Sequence, residues 1–183
     1  SDRVDFNPNA NCDDLDGLAI FTVSGGALTT RAQSIDVVNN GKIFFVLDND
    51  SRLGKFNAVN PNDVDGIVYE TLIDFDLIGL NDDQIKDVAF SRDGTKLYTL
   101  TSQSGTDAKA RQLTTFSLPG PFDISSHTQI HQVDFFDLGV PDDGDVTEIG
   151  RGIEFSSDGS AMFLLVGNTP VSYTHLRAHE TNS

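Results

Sequence analysis

The stretch D-V-A-F-S-R-D-G-T-K-L-Y at residues 87–98 decides the fold, because it returns at 152–163 as G-I-E-F-S-S-D-G-S-A-M-F. A looser copy, I-D-V-V-N-N-G-K-I-F-F, precedes both at 35–45. Each copy is a short apolar strand, a turn containing Asn-Gly or Asp-Gly, and a second apolar strand. These dipeptides favour tight hairpins, because Gly and, to a lesser degree, Asn and Asp tolerate a positive φ. The sequence therefore predicts three related β-hairpins.

A second repeated element extends each hairpin to a larger unit. Phe-Asn precedes an Asp-rich turn at 6–18 and again at 56–67, and Phe-Ser holds the equivalent place at 116–117. A strand-like run follows each of these turns, so every unit contains four strands, A to D. The predicted strands are 34–38, 42–47, 53–58 and 67–77 in the first whole unit, and 86–91, 96–101, 111–118 and 129–138 in the second.

Repetition of a four-stranded unit at roughly 50–65 residues is typical of the blades of a β-propeller. We therefore predict an all-β fold over residues 1–169, a partial β-propeller of four-stranded antiparallel blades, two whole and two partial. A β-sandwich is the alternative, but it does not explain why the same hairpin sequence recurs. Because a closed ring needs at least four blades, we expect a longer parent protein. The predicted segments are the end of one blade at 1–23, whole blades at 34–77 and 86–138, and the start of a further blade at 150–169.

The hairpins at 90–98 and 155–160 resemble the signature of bacterial YVTN/lactonase-like and related WD40-like propeller repeats. The loop L-P-G-P-F-D-I-S at 118–125 is similar to a loop of secreted and phage-associated relatives. The first hairpin departs from the signature, because Asn39-Asn40 replaces the usual Ser-x-Asp. The resemblance implies an extracellular, cell-surface or periplasmic binding or structural module, and an enzyme in a minority of such domains.

The C-terminal residues differ in composition from the rest of the chain. The string V-S-Y-T-H-L-R-A-H-E-T at 171–181 resembles the translation of a transposase-based sequencing adapter. We therefore expect residues 170–183 to be foreign to the domain and unstructured, and we leave them out of the functional reasoning.

Charge and composition exclude several classes of protein. The chain of 183 residues has 28 Asp and Glu against 12 Lys and Arg, which gives a formal net charge of −16. This excess disfavours binding to nucleic acid, where Lys and Arg neutralise phosphates. No apolar run approaches the length needed to cross a bilayer, so membrane insertion is not expected. The single cysteine, Cys12, cannot close an intramolecular disulfide.

Carboxylates concentrate in the loops that a propeller gathers on one face, namely the B–C loops and the connections from strand D to the next strand A. Clustered carboxylates favour cations, so this face is predicted to bind Ca²⁺ or a basic partner. The alternative is that Asp serves turns and solubility there. No other cofactor is evident. The predicted ligand- or cation-binding residues are Asp48, Asp50, Asp82, Asp83, Asp142, Asp143 and Asp145.

A second set of polar residues falls on strand A, which lines the axis of a propeller. Asp36 and Glu154 hold equivalent positions in units separated by one blade, and Ala89 holds the same place between them. We predict that Asp36 and Glu154 line the channel; acid–base catalysis by this pair is the alternative. The equivalent positions two residues earlier, at the entrance, are Ser34, Asp87 and Gly152.

These patterns favour a non-enzymatic propeller module of a larger, secreted or surface protein, which binds a ligand or a protein or carbohydrate partner and packs against its own neighbouring blades. A purely structural repeat array is one alternative. A lactonase- or lyase-type enzyme whose active site lies largely in other blades is the other alternative. No residue is assigned as catalytic, and the sequence identifies no metal site. His127 and His131 lie four apart at the start of strand D, but the sequence offers no further ligand beside them.

Overall fold

The computed structural model describes residues 32–61, 67–75, 85–101, 112–134, 150–156, 158–166 and 172–177. Every regular element within these ranges is a β-strand, and none of them is a helix that could cross a membrane. The strands are β1 (Ala32–Val38), β2 (Ile43–Asp48), β3 (Arg52–Asn57), β4 (Val68–Asp74), β5 (Ile85–Phe90), β6 (Lys96–Thr101), β7 (Gln112–Ser117), β8 (Thr128–Asp134), β9 (Gly150–Phe155), β10 (Ala161–Val166) and β11 (Ser172–Arg177).

The strands form three antiparallel sheets in sequence order, which we name blades 1, 2 and 3. Blade 1 contains β1–β4, blade 2 contains β5–β8, and blade 3 contains β9–β11. The innermost strands lie side by side, with β1 against β5 and β5 against β9. The structure therefore confirms the predicted partial propeller, and the sandwich alternative is wrong, because like sheets follow one another around the inner strands.

Equivalent aromatic residues pack against each other at both boundaries, between blades 1 and 2 and between blades 2 and 3. Phe45 of blade 1 stacks on Phe90 of blade 2, with ring centroids 4.1 Å apart. Tyr98 and Phe155 hold the equivalent positions one blade further on, and their centroids lie 4.7 Å apart. These pairs sit in two of the buried apolar clusters that hold the blades together. Apolar burial between blades is the main contribution to their association.

The Ser-x-Asp-Gly turns of blades 2 and 3 share one hydrogen-bond pattern, which we call the Ser–Asp latch. In blade 2 the Ser91 hydroxyl donates to Asp93 Oδ1 (2.7 Å) and accepts from the Lys96 backbone N (2.9 Å). The Thr95 backbone N also donates to Asp93 Oδ1. Blade 3 repeats the pattern with bonds of 2.6 and 2.9 Å from and to Ser156. The Ser and Asp side chains of the motif thus stabilise the turn by hydrogen bonds to each other and to the backbone of the same turn.

The turn of blade 1 has a different geometry, as its different sequence leads one to expect. Asn39, Asn40 and Gly41 all have positive φ, at 52°, 55° and 77°. The Gly41 backbone N donates to the Val38 carbonyl, which closes the turn without a serine. Asn and Gly are the residues that adopt this left-handed conformation at least cost.

The C-terminal residues differ from the prediction. Ser172–Arg177 form β11 and pair antiparallel with β10, in the place that the third strand takes in the other blades. The expectation of an unstructured tail is therefore wrong for these six residues. One side of β10 pairs with β9, and the backbone N–H and C=O groups on its other side can pair with any segment that adopts an extended conformation. A segment that is foreign to the domain can therefore also form a strand there. The predicted end of a blade at 1–23 lies outside the described residues.

The loop between the third and fourth strands of blade 2 folds back over its first turn. The Phe122 backbone N donates to the Gly94 carbonyl (2.8 Å), and the Phe122 ring lies 5.8 Å from that of Phe90. A Cβ on Gly94 would meet the Phe122 ring at 2.8 Å, so only glycine fits beneath it. The loop that resembled those of other propellers thus covers the boundary between blades 1 and 2.

Candidate functional site

Asp87 connects the inner strands of all three blades. Its Oδ1 accepts hydrogen bonds from the Ser34 hydroxyl on β1 and from the Val88 backbone N (2.9 Å). Its Oδ2 accepts from the Ile153 backbone N on β9 (2.8 Å). A Cβ on Gly152 would lie 3.5 Å from this oxygen, at an ordinary van der Waals distance, so the Asp87 carboxylate packs closely against β9. Sequence reasoning placed Ser34, Asp87 and Gly152 in one row but gave Asp87 no role.

Asp36 lies further along the same inner edge and is half-buried. Burial, followed by the negative charges of Glu154 and Asp87, raises the pKa of Asp36 from 3.8 to about 6. Hydrogen bonds from the backbone of Val37 and Phe90 act in the opposite direction. Charge repulsion between carboxylates and loss of hydration both disfavour ionisation. The carboxyl of Asp36 therefore loses its proton at a higher pH than an exposed aspartate does.

The inner edge thus carries three carboxylates with different surroundings. Asp87 has hydrogen-bond donors on both oxygens, Asp36 is half-buried, and Glu154 is exposed. In the part of the chain that the structure describes, no three His, Cys, Asp or Glu side chains lie close enough together to hold a metal ion. One positive charge beside Asp36 and Glu154 would offset the repulsion between their carboxylates.

Two of the residues predicted on the cation-binding face lie where β2 leads into β3: Asp48 is the last residue of β2, and Asp50 lies in the turn that follows. Asp48 is buried, and its Oδ1 accepts from the backbone N atoms of Asp50 (3.0 Å) and Arg52 (2.9 Å). Its Oδ2 is buried without a hydrogen-bond partner among the described residues, and burial raises the pKa of its carboxyl. Asp50 lies 3.7 Å from the Arg52 guanidinium.

Blade 2 places Thr101 where blade 1 has Asp48. The Thr101 hydroxyl donates to the carbonyl of Gln112 and accepts from its backbone N. Both side chains therefore join the second strand of a blade to its third. The cation-binding face stays a prediction. The remaining residues assigned to it lie outside the described residues, namely Asp82, Asp83, Asp142, Asp143 and Asp145.

The two histidines near β8 have different surroundings. The His127 ring packs edge-on against Phe116, with centroids 5.5 Å apart. Burial lowers the pKa of His127, and its Nδ1 has no hydrogen-bond partner within the described ranges. His131 is exposed on β8. His127 thus contributes to packing, and no metal-binding group of three ligands includes either residue in the described ranges.

Comparisons with known proteins identify relatives only at the level of the fold. No protein-family model matches the chain, and no curated protein matches it. The β-propeller domain of Cps50 (Swd1) from Myceliophteria thermophila is 13% identical, with a TM-score of 0.48, over 75% of this chain and 37% of that one.

Two further structures carry the names of lactonases. A putative 6-phosphogluconolactonase from Bacteroides uniformis is 17% identical, with a TM-score of 0.48, over 83% of this chain and 44% of that one. The periplasmic gluconolactonase PpgL of Pseudomonas aeruginosa is 14% identical, with a TM-score of 0.44, over 74% of this chain and 34% of that one. The chain therefore spans less than half the length of each of these three structures, and at these identities a likeness says nothing about activity.

Proposed function

We propose that the chain is a non-enzymatic binding module of a larger, secreted or surface-exposed propeller protein, and that its inner edge takes a positively charged group of a protein partner. The observation that carries this proposal is the destabilised carboxylate of Asp36, half-buried and repelled by Glu154. An ammonium or guanidinium group placed between them would gain two charge interactions and relieve the repulsion.

The net charge of −16 supports the same class of partner. A strongly acidic surface raises the rate of encounter with basic proteins and repels acidic ones. A neutral carbohydrate would gain nothing from the repulsion at Asp36, so the electrostatics favour a basic protein segment.

The affinity for such a segment rises with pH. The pKa of Asp36 is about 6, and a cation binds the ionised form more tightly. Calorimetric titration with a lysine-rich peptide at pH 5 and at pH 7.5 measures this difference. Binding several-fold tighter at the higher pH supports the proposal, and equal affinity at both contradicts it.

A matched substitution separates the inner edge from the general negative charge. Asp36→Asn and Glu154→Gln each remove one carboxylate from the edge, whereas Asp134→Asn removes one from the outermost strand, β8. The first two variants are expected to lose both affinity and its pH dependence, and the third to lose little of either. Equal losses in all three would mean that the peptide binds only through net charge.

A lactonase- or lyase-type enzyme is the second candidate, favoured by the same pKa of about 6 at Asp36. A carboxyl group that titrates near neutral pH suits general acid–base catalysis. Hydrolysis of sugar lactones, followed by acid release at several pH values, tests this candidate. Loss of the rate in Asp36→Asn supports it, and a rate equal to the uncatalysed one in the unaltered chain contradicts it.

A further inference from the structure

The innermost strand of each blade carries a β-bulge at the same position. One residue of this strand has no partner on the second strand, because its two neighbours pair with adjacent residues there. The bulged residues are Gln33 on β1, Lys86 on β5 and Arg151 on β9, and we call them the bulge row. Bulges redirect a side chain from the regular alternation of a strand, and they are frequent beside binding sites.

The side chains of the bulge row are long, and each can donate hydrogen bonds. Two of them are cations, although the chain of 183 residues has only 12 Lys and Arg. Gln33 and Lys86 are half-buried, and Arg151 is exposed. The Gln33 amide donates to Asn49 Oδ1, so its side chain lies at the end of the blade where β2 turns into β3. A row of donors that includes two cations suits a carboxylate.

The bulge row lies close to the carboxylates of the inner edge. Asp36 follows Gln33 by three positions on β1. Glu154 follows Arg151 by three positions on β9. At about 3.3 Å per residue, the two levels are about 10 Å apart along the strands. The inner edge therefore has donors and cations at one level and carboxylates at the next.

Asp87 lies next to Lys86 in the sequence, and its negative charge opposes the binding of an anion there. Three hydrogen bonds stabilise this charge, from the Ser34 hydroxyl and from the backbone N atoms of Val88 and Ile153. Both oxygens of the Asp87 carboxylate are thus engaged within the fold.

We propose that the bulge row binds a carboxylate of the same partner segment whose basic group lies at Asp36 and Glu154. This inference rests on the proposed function and adds to it that the segment carries an acidic and a basic side chain about 10 Å apart. Two contacts of opposite charge fix the direction in which the segment lies along the inner edge. They also favour this segment over a purely basic one, which gains only the contact with the carboxylates.

The direction of one change in affinity distinguishes this site from the general charge of the protein. A net charge of −16 repels an acidic side chain, so net charge alone predicts that a glutamate added to a basic peptide weakens binding. A contact between that glutamate and the bulge row predicts that binding becomes tighter.

Calorimetric titration at pH 7.5 compares two lysine-rich peptides with blocked ends, one ending in Ala-Ala-Glu and the other in Ala-Ala-Gln. The glutamate then lies three residues, or about 10 Å in an extended peptide, from the last lysine. A second pair carries the same residues at the amino end, because the segment can lie in either direction. The Glu peptide is expected to bind several-fold tighter than its Gln counterpart in one of the two pairs. Equal or weaker binding in both pairs overturns the inference.

Substitutions test whether the bulge row causes this difference. Lys86→Met and Arg151→Met should each remove most of the preference for Glu over Gln. Lys42→Met and Arg92→Met are the matched controls, because Lys42 and Arg92 are exposed in the turns at the other end of the inner strands. The controls should keep the preference, and circular dichroism shows whether each variant folds. An equal loss of the preference in the controls overturns the inference.

The Gln peptide separates the failure of this inference from the failure of the proposed function. If this peptide binds more tightly at pH 7.5 than at pH 5 and glutamate adds no affinity, the contact with the basic group stands and only the bulge-row site is overturned. If its binding does not depend on pH, the proposed function is overturned, and this inference with it.

Discussion

The carboxylate of Asp87 and the backbone amide of Ile153 are joined by a hydrogen bond of 2.8 Å that crosses the boundary between blades 2 and 3. The other oxygen of the same carboxylate accepts from the Ser34 hydroxyl of blade 1. One side chain of a middle blade thus fixes the positions of both neighbouring inner strands.

Asp87→Ala should lower the free energy of unfolding by about 2–4 kcal/mol, because three hydrogen bonds are lost and the Ile153 amide is left without its acceptor. Chemical denaturation monitored by circular dichroism measures the change. Asp50→Ala is the control, because the Asp50 carboxylate makes a half-exposed ion pair at 3.7 Å and should contribute less than about 1 kcal/mol. Equal effects in both variants would show that Asp87 does not hold the blades together.

The folded protein should lose stability as the pH rises from about 4 to about 6. Asp36 has a pKa of about 6 in the folded protein against 3.8 ordinarily, so the folded state binds more protons in this interval. Asp36→Asn should remove most of this dependence and raise the free energy of unfolding at pH 7.5 by about 1 kcal/mol, after allowance for solvent screening. Urea unfolding at several pH values provides the measurement.

Glu154→Gln tests the cause of that dependence. The charge of Glu154 is second only to burial in raising the pKa of Asp36, so its removal should lower this pKa and reduce the slope of stability against pH. Asp134→Asn removes a charge from the outermost strand and should leave the slope unchanged. An unchanged slope in Glu154→Gln would contradict the inferred repulsion.

Gly94 and Gly159 form a matched pair that separates backbone strain from side-chain contact. Both have a positive φ, at 70° and 72°, so alanine at either position costs about 1–2 kcal/mol. A Cβ at Gly94 would also meet the Phe122 ring at 2.8 Å, whereas its nearest neighbour at Gly159 lies 3.6 Å away. Thermal unfolding should therefore show a clearly larger loss for Gly94→Ala than for Gly159→Ala. A smaller loss at Gly94 would mean that the Phe122 loop moves aside freely.

Lys55 is a largely buried cation that forms an ion pair with Glu70. Its Nζ donates to Glu70 Oε1 at 3.0 Å. Glu70→Ala should cost about 1–2 kcal/mol, since it leaves a buried ammonium without its carboxylate, although Glu70 itself is partly exposed. The double variant Lys55→Met/Glu70→Ala should recover part of this loss. Denaturation of the single and double variants gives the coupling, and no recovery would contradict the ion pair.

The sequence could predict those parts of the fold that depend on neighbouring residues. The positive φ of Gly94 and Gly159 follows from Asp-Gly in an apolar hairpin, because few other residues tolerate that conformation. The grouping of Ser34 with Asp87 and of Asp36 with Glu154 along the inner strands was also predictable, since equivalent residues of successive repeats occupy equivalent positions in their blades. The first prediction depends only on residues next to one another in the sequence, and the second only on the alignment of one repeat with the next.

The role of Asp87 could not be predicted in the same way, because its partners lie 53 and 66 residues away in other blades. The available signal was a single carboxylate in the entrance row, in the same row as Ser34, whose hydroxyl can donate a hydrogen bond to it. The burial of Asp48 was missed for a related reason. Loop carboxylates are usually exposed, and only its equivalence to Thr101 pointed to a role within the turn.

The Ser–Asp latch has a consequence for the order of folding. Its hydrogen bonds join residues at most five apart, so the inner hairpins of blades 2 and 3 can form on the microsecond timescale without any neighbour. The bond between Asp87 and Ile153 has to close a loop of 66 residues and follows later. A nascent chain would therefore carry finished hairpins before any blade meets the next, and the slow step would be the docking of preformed sheets.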